Sequence, residues 1–245
     1  MQTFYLTDAG KVREHNEDNV IILKNDSNEY LMAVADGMGG HNAGEIASSI
    51  AIDHLQIGFR KKDSFGNKQD AVNWLRNNVN EINNKIFRYT DENEESKGMG
   101  TTLVISVLTE EYLLFANIGD SSGFVMKKNK IFKVTNDHTL VNLLVTTGEL
   151  SEEEAKCHPR KNVVMKALGA VNPAEIDIFD VDIDVDSILL CSDGLTSMLS
   201  NEQIEKVLNT ELSIEEKVTR LIKKSNNRGG NDNISIAYLI KESGE

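Results

Sequence analysis

Residues 101–134 read TTLVISVLTEEYLLFANIGDSSGFVMKKNKIFKV. Four short apolar stretches stand in this run, at 101–108, 112–118, 123–126 and 131–134. Thr109-Glu110-Glu111 and the lysine-rich segment 127–130 separate two pairs of them at hairpin spacing. Connections this short leave no room for a crossover, so the strands pair antiparallel.

Working outward, 19–23 and 30–35 are apolar runs bounded by Asn, Asp and Ser, and read as strands. The second run leads into the Gly-rich loop Asp36-Gly37-Met38-Gly39-Gly40-His41. A helix follows with Ile46, Ala47, Ile50 and Ile57 on one face. A second carries Val72, Leu75, Val79, Ile82 and Ile86 at spacings of three and four. Segment 142–162 is polar and mixed, with Ser151 and Glu154 spaced as a capping box. Strand character returns at 176–190. Two helices come next, opened by the boxes Ser200/Gln203 and Ser213/Glu216, the second with Ile214, Val218, Leu221 and Ile222 on its apolar face. A strand at 234–240 closes the chain. Hairpins alternating with helices predict an α+β fold in which helices cover antiparallel sheets.

The bulk numbers narrow the function. At 245 residues the chain is expected to form a single domain over 1–241, with no repeat or Pro-rich linker. A net charge of -13 argues against nucleic acid and anionic membrane as partners. No apolar run has the length of a membrane span. Met1-Gln2-Thr3-Phe4 lacks a basic region followed by an apolar core, and the chain has only two cysteines, Cys157 and Cys191. Both features lead to the expectation of a cytoplasmic protein.

One device recurs. An apolar strand ends in an acidic residue beside Gly or Asn: Ala35-Asp36-Gly37, Ile118-Gly119-Asp120, Ser192-Asp193-Gly194 and Gly230-Asn231-Asp232-Asn233, with Asn16-Glu17-Asp18 before another strand. Any one such pair is an ordinary turn. Several carboxylates at strand ends are costly unless a cation compensates them. Oxygen donors without neighbouring His or Cys favour hard divalent ions, magnesium or manganese.

Rival phosphate chemistries fail. Asn42 stands where a dinucleotide loop needs its third Gly, and Glu45 stands where a phosphate loop needs Lys. Asp36 and Glu45 would repel a bare phosphate, so phosphate reaches this loop only through a metal. A cysteine phosphatase needs Arg six residues after its nucleophile, where Ser197 and Val163 are found. The run 180–186, Asp-Val-Asp-Ile-Asp-Val-Asp, alternates with period two and reads as a solvated strand.

With these pieces assembled, the chain resembles the metal-dependent protein phosphatases of type 2C in their compact bacterial form. The resemblance runs nearly end to end. It rests on Thr7-Asp8-Ala9-Gly10, Arg13, Asn16-Glu17-Asp18, Asp36-Gly37-Met38-Gly39-Gly40-His41, Gly98-Met99-Gly100-Thr101-Thr102, Gly119-Asp120-Ser121, Ser192-Asp193-Gly194-Leu195 and Asp232-Asn233. It implies a four-layer α-β-β-α sandwich, with two antiparallel sheets flanked by antiparallel helix pairs. It also implies serine/threonine phosphatase activity, in which a hydroxide bridging two Mn2+ or Mg2+ ions attacks phosphorus.

By the same resemblance, Asp36 bridges both ions and the Gly37 carbonyl binds the first. Asp193 and Asp232 bind the second, and Asp120 with Asp193 takes a third, weaker one. Glu17 and Asp18 hold waters, Arg13 clamps the substrate phosphate, and His41 protonates the leaving oxygen. Asp18 and His41 are the expected catalytic pair. A mobile flap is expected around 142–170. The implied partners are phosphoserine and phosphothreonine proteins, including a serine/threonine kinase and its substrates, and the implied state is a monomer. The chain departs from the family at Ser122, where Arg is usual, and the change reads as a tolerated surface substitution. The alternative is a catalytically silent, phosphoprotein-binding regulator of the same fold, which retention of every metal-binding acid argues against.

Overall fold

The structure, a computed structural model, describes residues 1–40 and 43–241. Two antiparallel sheets form its centre. One runs in the order β1 (Gln2–Asp8), β11 (Ile234–Ile240), β10 (Ser187–Cys191), β7 (Ser122–Lys127), β8 (Lys130–Lys133). The other runs β2 (Asp18–Lys24), β3 (Tyr30–Met38), β5 (Leu103–Leu108), β6 (Leu113–Ile118), β9 (Asp177–Val181), and the short β4 (Gly100–Thr101) pairs with β3.

Period-two alternation sorts the side chains into layers. In β3, Tyr30, Met32 and Val34 enter the core between the sheets, where they meet Phe115, Val125, Ile188, Leu190, Ala237 and Leu239. Leu31, Ala33 and Ala35 face the other way, onto α1 (Ala43–Arg60) and α2 (Lys68–Glu92). Those two helices are antiparallel, since His54 lies beside Glu81 and Gly58 beside Trp74 and Asn78. On the far sheet, Phe124, Leu189, Cys191 and Ile236 face α6 (Asn201–Leu208) and α7 (Ile214–Asn227). Arg228, just after α7, hydrogen-bonds Gln203 at the start of α6, so this pair is antiparallel too. The four-layer sandwich is therefore present.

Three readings need correction. The buried face of α1 is Ala43, Gly44, Ala47, Ser48, Ala51, Ile52, Leu55 and Phe59; Ile46 and Ile50 pack at its margin and Ile57 is exposed. Close approach of the helix to the sheet selects small residues over the largest hydrophobes. The run 180–186 is not one strand. β9 ends at Val181, the Asp182 side chain accepts from the Asp184 amide, and the chain crosses from one sheet to the other before β10. Ser122 is fully buried on β7, opposite Cys191, and its hydroxyl has no hydrogen-bond partner, so it is no surface substitution.

The capping boxes at Ser151, Ser200 and Ser213 are all formed. Segment 142–170 holds the remainder of α3 (Leu140–Thr146) and α4 (Glu152–Cys157), and returns to the sheet through a Thr101–Leu168 bridge.

Candidate metal centre

The alternation that builds the inter-sheet core continues past its end. Asp36 lies on the same face of β3 as Met32 and Val34, and Asp18 on the same face of β2 as Val20. The register sets Asp18 directly opposite Asp36. Ser192, Ser235, Thr102 and Ser121 continue the inward rows of the neighbouring strands. One end of the sandwich is thus floored with polar groups where the remainder is lined with aliphatic ones.

The Asp18 side chain and the backbones that carry Asp36 and Asp193 are held there by defined contacts. The Ser192 hydroxyl donates to Asp18 Oδ2 at 2.7 Å, and accepts from the Ser235 amide at 2.9 Å. The Asp36 amide donates to Thr102 Oγ1 at 3.1 Å, and its carbonyl accepts from the Thr102 amide and the Thr101 hydroxyl, each at 2.9 Å. Gly37 must lack a side chain, because a Cβ would fall 2.1 Å from the Gly44 carbonyl oxygen and 2.6 Å from that of Glu17. Asp193 opens the short helix α5 (Asp193–Thr196) right after β10. Its neighbour Gly194 packs so tightly on the loop before β11 that a Cβ would lie 2.0 Å from the Asn233 carbonyl oxygen. Asn233 also ties in the 9–17 loop, accepting from the Glu17 amide at 2.9 Å and donating to the carbonyls of Ala9 and His15.

The electrostatics are severe. Burial, followed by the charges of Asp18, Asp193, Asp120 and Asp232, pushes the Asp36 carboxyl well above its ordinary range. Burial also raises Asp193, reinforced by Asp120 and Asp232 and opposed by a hydrogen bond with Asp36. Asp18 is raised by burial against the opposing bonds of Ser192 and Ser235. Asp120 is pushed up to about 6, by burial and then by Asp137. Glu17 is raised by burial while Arg13 opposes the shift. Buried oxygens Asp18 Oδ1 and Asp193 Oδ1 have no hydrogen-bond partner. Unpaired buried acceptors among mutually repelling carboxylates fit an oxygen-seeking divalent cation.

Arg13 does not stand free for a phosphate. Its Nη2 pairs with Asp232 Oδ2 at 2.7 Å, with the two side chains 52% and 32% exposed. His41 lies outside the described residues. Among the described residues no three His, Cys, Asp or Glu side chains form a ready-made cage for an ion. Mutual repulsion and the pull of Arg13 on Asp232 oppose such a cage, and hard ions complete their shells with carbonyl and water oxygens.

Asp18, Asp36, Gly37, Asp120, Asp193 and Asp232 lie together at one end of the sandwich. Ser192, Thr102 and Asn233, which stand in the same motifs, hold these segments through contacts that depend on strand register. The inward-facing polar residue one step beyond an apolar alternation was the available signal.

A carboxylate floor at one end of two antiparallel sheets, flanked by helix pairs, defines the class: a metal-dependent phosphoprotein phosphatase. The chain belongs to the protein phosphatase 2C family, whose model matches residues 9–235. It is similar to the serine/threonine phosphatase stp of Listeria welshimeri, 40% identical over 240 residues that cover 98% of this chain and 95% of the relative. It is also similar to protein phosphatase PhpP of Streptococcus pneumoniae, 34% identical over 243 residues covering 98% and 97%. Among solved structures, the S. agalactiae serine/threonine phosphatase matches with a TM-score of 0.92 at 36% identity, over 98% of this chain and 99% of that one. Stp1 from Staphylococcus aureus matches at 0.91 and 36%, over 99% and 95%. The protein is a serine/threonine protein phosphatase. No helix among the described residues is long and apolar enough to cross a membrane.

Proposed function

We propose that this phosphatase acts with two tightly held Mn2+ or Mg2+ ions at the carboxylate floor. Asp36, the Gly37 carbonyl, Asp193 and Asp232 would hold them, and Asp120 with Asp193 would hold a third, weaker ion. The observation that carries this reading is the convergence of Asp18, Asp36, Asp120, Asp193 and Asp232 as mutually repelling acids with unpaired buried oxygens. Bound there, the ions would supply a water of lowered pKa and positive charge against the phosphoryl oxygens.

The chain's own residues do the remainder. Glu17 and Asp18 accept hydrogen bonds from waters at the site and orient them. Arg13 leaves Asp232 for the substrate phosphate, a transfer favoured by the doubly charged bidentate partner. His41, placed by its sequence position alone, donates a proton to the departing serine or threonine oxygen. Segment 142–170 acts as a mobile flap over the cleft, on a single domain spanning 1–241. The protein works as a cytoplasmic monomer that opposes a serine/threonine kinase. The resemblance to the compact bacterial members of the family supports this last reading.

Chelator-stripped protein should leave a phosphothreonine peptide intact and hydrolyse it once Mn2+ is restored. Calorimetric titration of Mn2+ into the stripped protein should show two tight sites and one weaker. Full turnover after exhaustive chelation would sink the reading.

A further inference from the structure

His138 packs behind the turn that carries Asp120, its side chain only 10% exposed. Its partners are unusually complete. The Gly119 amide donates to His138 Nδ1 at 3.1 Å, and the His138 amide donates back to the Gly119 carbonyl at 2.9 Å. His138 Nε2 stands 3.1 Å from Asp177 Oδ2. Because Nδ1 accepts a backbone N–H, it carries no proton; Nε2 therefore carries it and donates to Asp177. Asp177 is itself fixed at the start of β9, opposite Asn117 on β6. The Asn117 side chain donates to the Gly119 and Asn136 carbonyls, closing the ring.

This ring grips the turn that presents Asp120. Gly119 has a φ of +107°, and a Cβ there would fall 2.5 Å from Thr102, the residue bonded to the Asp36 backbone. The turn is thus wedged between Thr102 on one side and the His138 ring on the other. His138 also faces the segment that follows it. Its carbonyl accepts from the Met165 amide at 2.7 Å, Thr139 bridges Val164, and the Leu140 amide donates to the Val163 carbonyl.

We propose that His138, held by Asp177 in its Nε2–H form, is a positioning residue that aims the Gly119–Asp120 turn and couples it to the segment 139–165. The catalytic part of this assignment rests on the reading of Asp120 above. A histidine oriented by a carboxylate on one nitrogen can fix what its other nitrogen touches, as carboxylate–histidine pairs do behind metal ligands. Here the group fixed is a peptide amide, and the ligand side chain is on the next residue.

The test compares His138→Ala, His138→Asn and Asp177→Asn with wild type in the full chain. His138→Asn keeps an acceptor near Nδ1 and loses the Asp177 contact, so it guards against a variant that simply fails to fold. In chelator-treated protein, proton–nitrogen spectra should report His138 protonated at Nε2, and Asp177→Asn should weaken that preference. The Gly119 and Met165 amides should exchange about tenfold faster in His138→Ala and by less in His138→Asn. With Mn2+, half-saturation of activity should rise by roughly 10–100-fold in His138→Ala, while calorimetry finds the two tight sites unchanged.

Unchanged amide exchange, or an Nδ1–H form in the wild type, overturns the proposal. So does loss of thermal stability with an unaltered Mn2+ requirement. Asp120→Ala, run alongside, separates the two readings. An impaired Asp120→Ala beside an unimpaired His138→Ala overturns this inference alone. An Asp120→Ala of full rate overturns the reading of Asp120 and, with it, the catalytic part of this one.

Discussion

At the residue scale the site is a compromise between charge and closeness. Asp36 and Asp193 stand among like charges. Asp36→Asn and Asp193→Asn are close in shape, and each removes a charge that a divalent pair needs. Both should abolish phosphopeptide turnover without unfolding the protein, measured by kinetics beside thermal unfolding. Near-normal turnover in either would show that the ligand assignment is wrong. Gly194→Ala tests closeness instead of charge. The Asn233 carbonyl lies where its Cβ must go, and that contact is backbone, which yields little. The variant should lose stability by several kcal/mol, in the range of overpacking in a tight site, and turnover should fall as the Asp232 loop is displaced. His41→Ala should slow phosphoserine hydrolysis far more than that of an aryl phosphate, whose leaving group needs little protonation. Equal losses would assign His41 to positioning.

At the element scale, helix ends were easier to read than helix faces. The capping boxes depend on residues three apart, and all three form as the local sequence requires. Ser213→Ala should therefore cost about 1 kcal/mol of stability, read as a lowered denaturant midpoint, with the rate on phosphopeptide unchanged because α7 lies outside the cleft. The face of α1 was misread because hydrophobicity ranks Ile57 above Ala47 and Ala51, whereas a helix pressed onto a sheet needs small residues at the contact. In the run 180–186, strict alternation carries no mark of which sheet a strand joins. Val181 at the end of β9 turns inward, as do Ile183 and Val185 in the crossover from one sheet to the other. The strand ends carrying Asp18, Asp36, Asp120, Asp193 and Asp232 were legible because an acid beside Gly or Asn after an apolar run is a local pattern. The contacts of Ser192, Asn233 and His138 were not, since each joins segments far apart in the chain.

At the scale of the whole molecule, the fold stores a pH-dependent cost at one end of the sandwich. Asp120 is raised to about 6, and Asp18, Asp36 and Asp193 are raised as well, in each case first by burial. A carboxyl raised in the folded state favours folding while it is protonated. Its contribution is fully present below the unfolded value near 4 and is lost as pH rises through the folded value. Chelator-treated protein should therefore melt at lower temperature at pH 8 than at pH 5. For a chain of this size each kcal/mol of stability lost lowers the melting temperature by about 2–4 °C. Mn2+ binds the deprotonated carboxylates, so the stabilisation it adds should grow over the same interval. The net charge of -13 supplies a competing explanation, because general repulsion also increases with pH. Asp36→Asn separates the two. It leaves 12 of 13 net negative charges on the molecule but relieves the most crowded acid, so the slope of Tm against pH should flatten markedly in the chelator-treated variant. If the slope is unchanged, surface repulsion accounts for the pH dependence and the carboxylate floor is not where the strain resides.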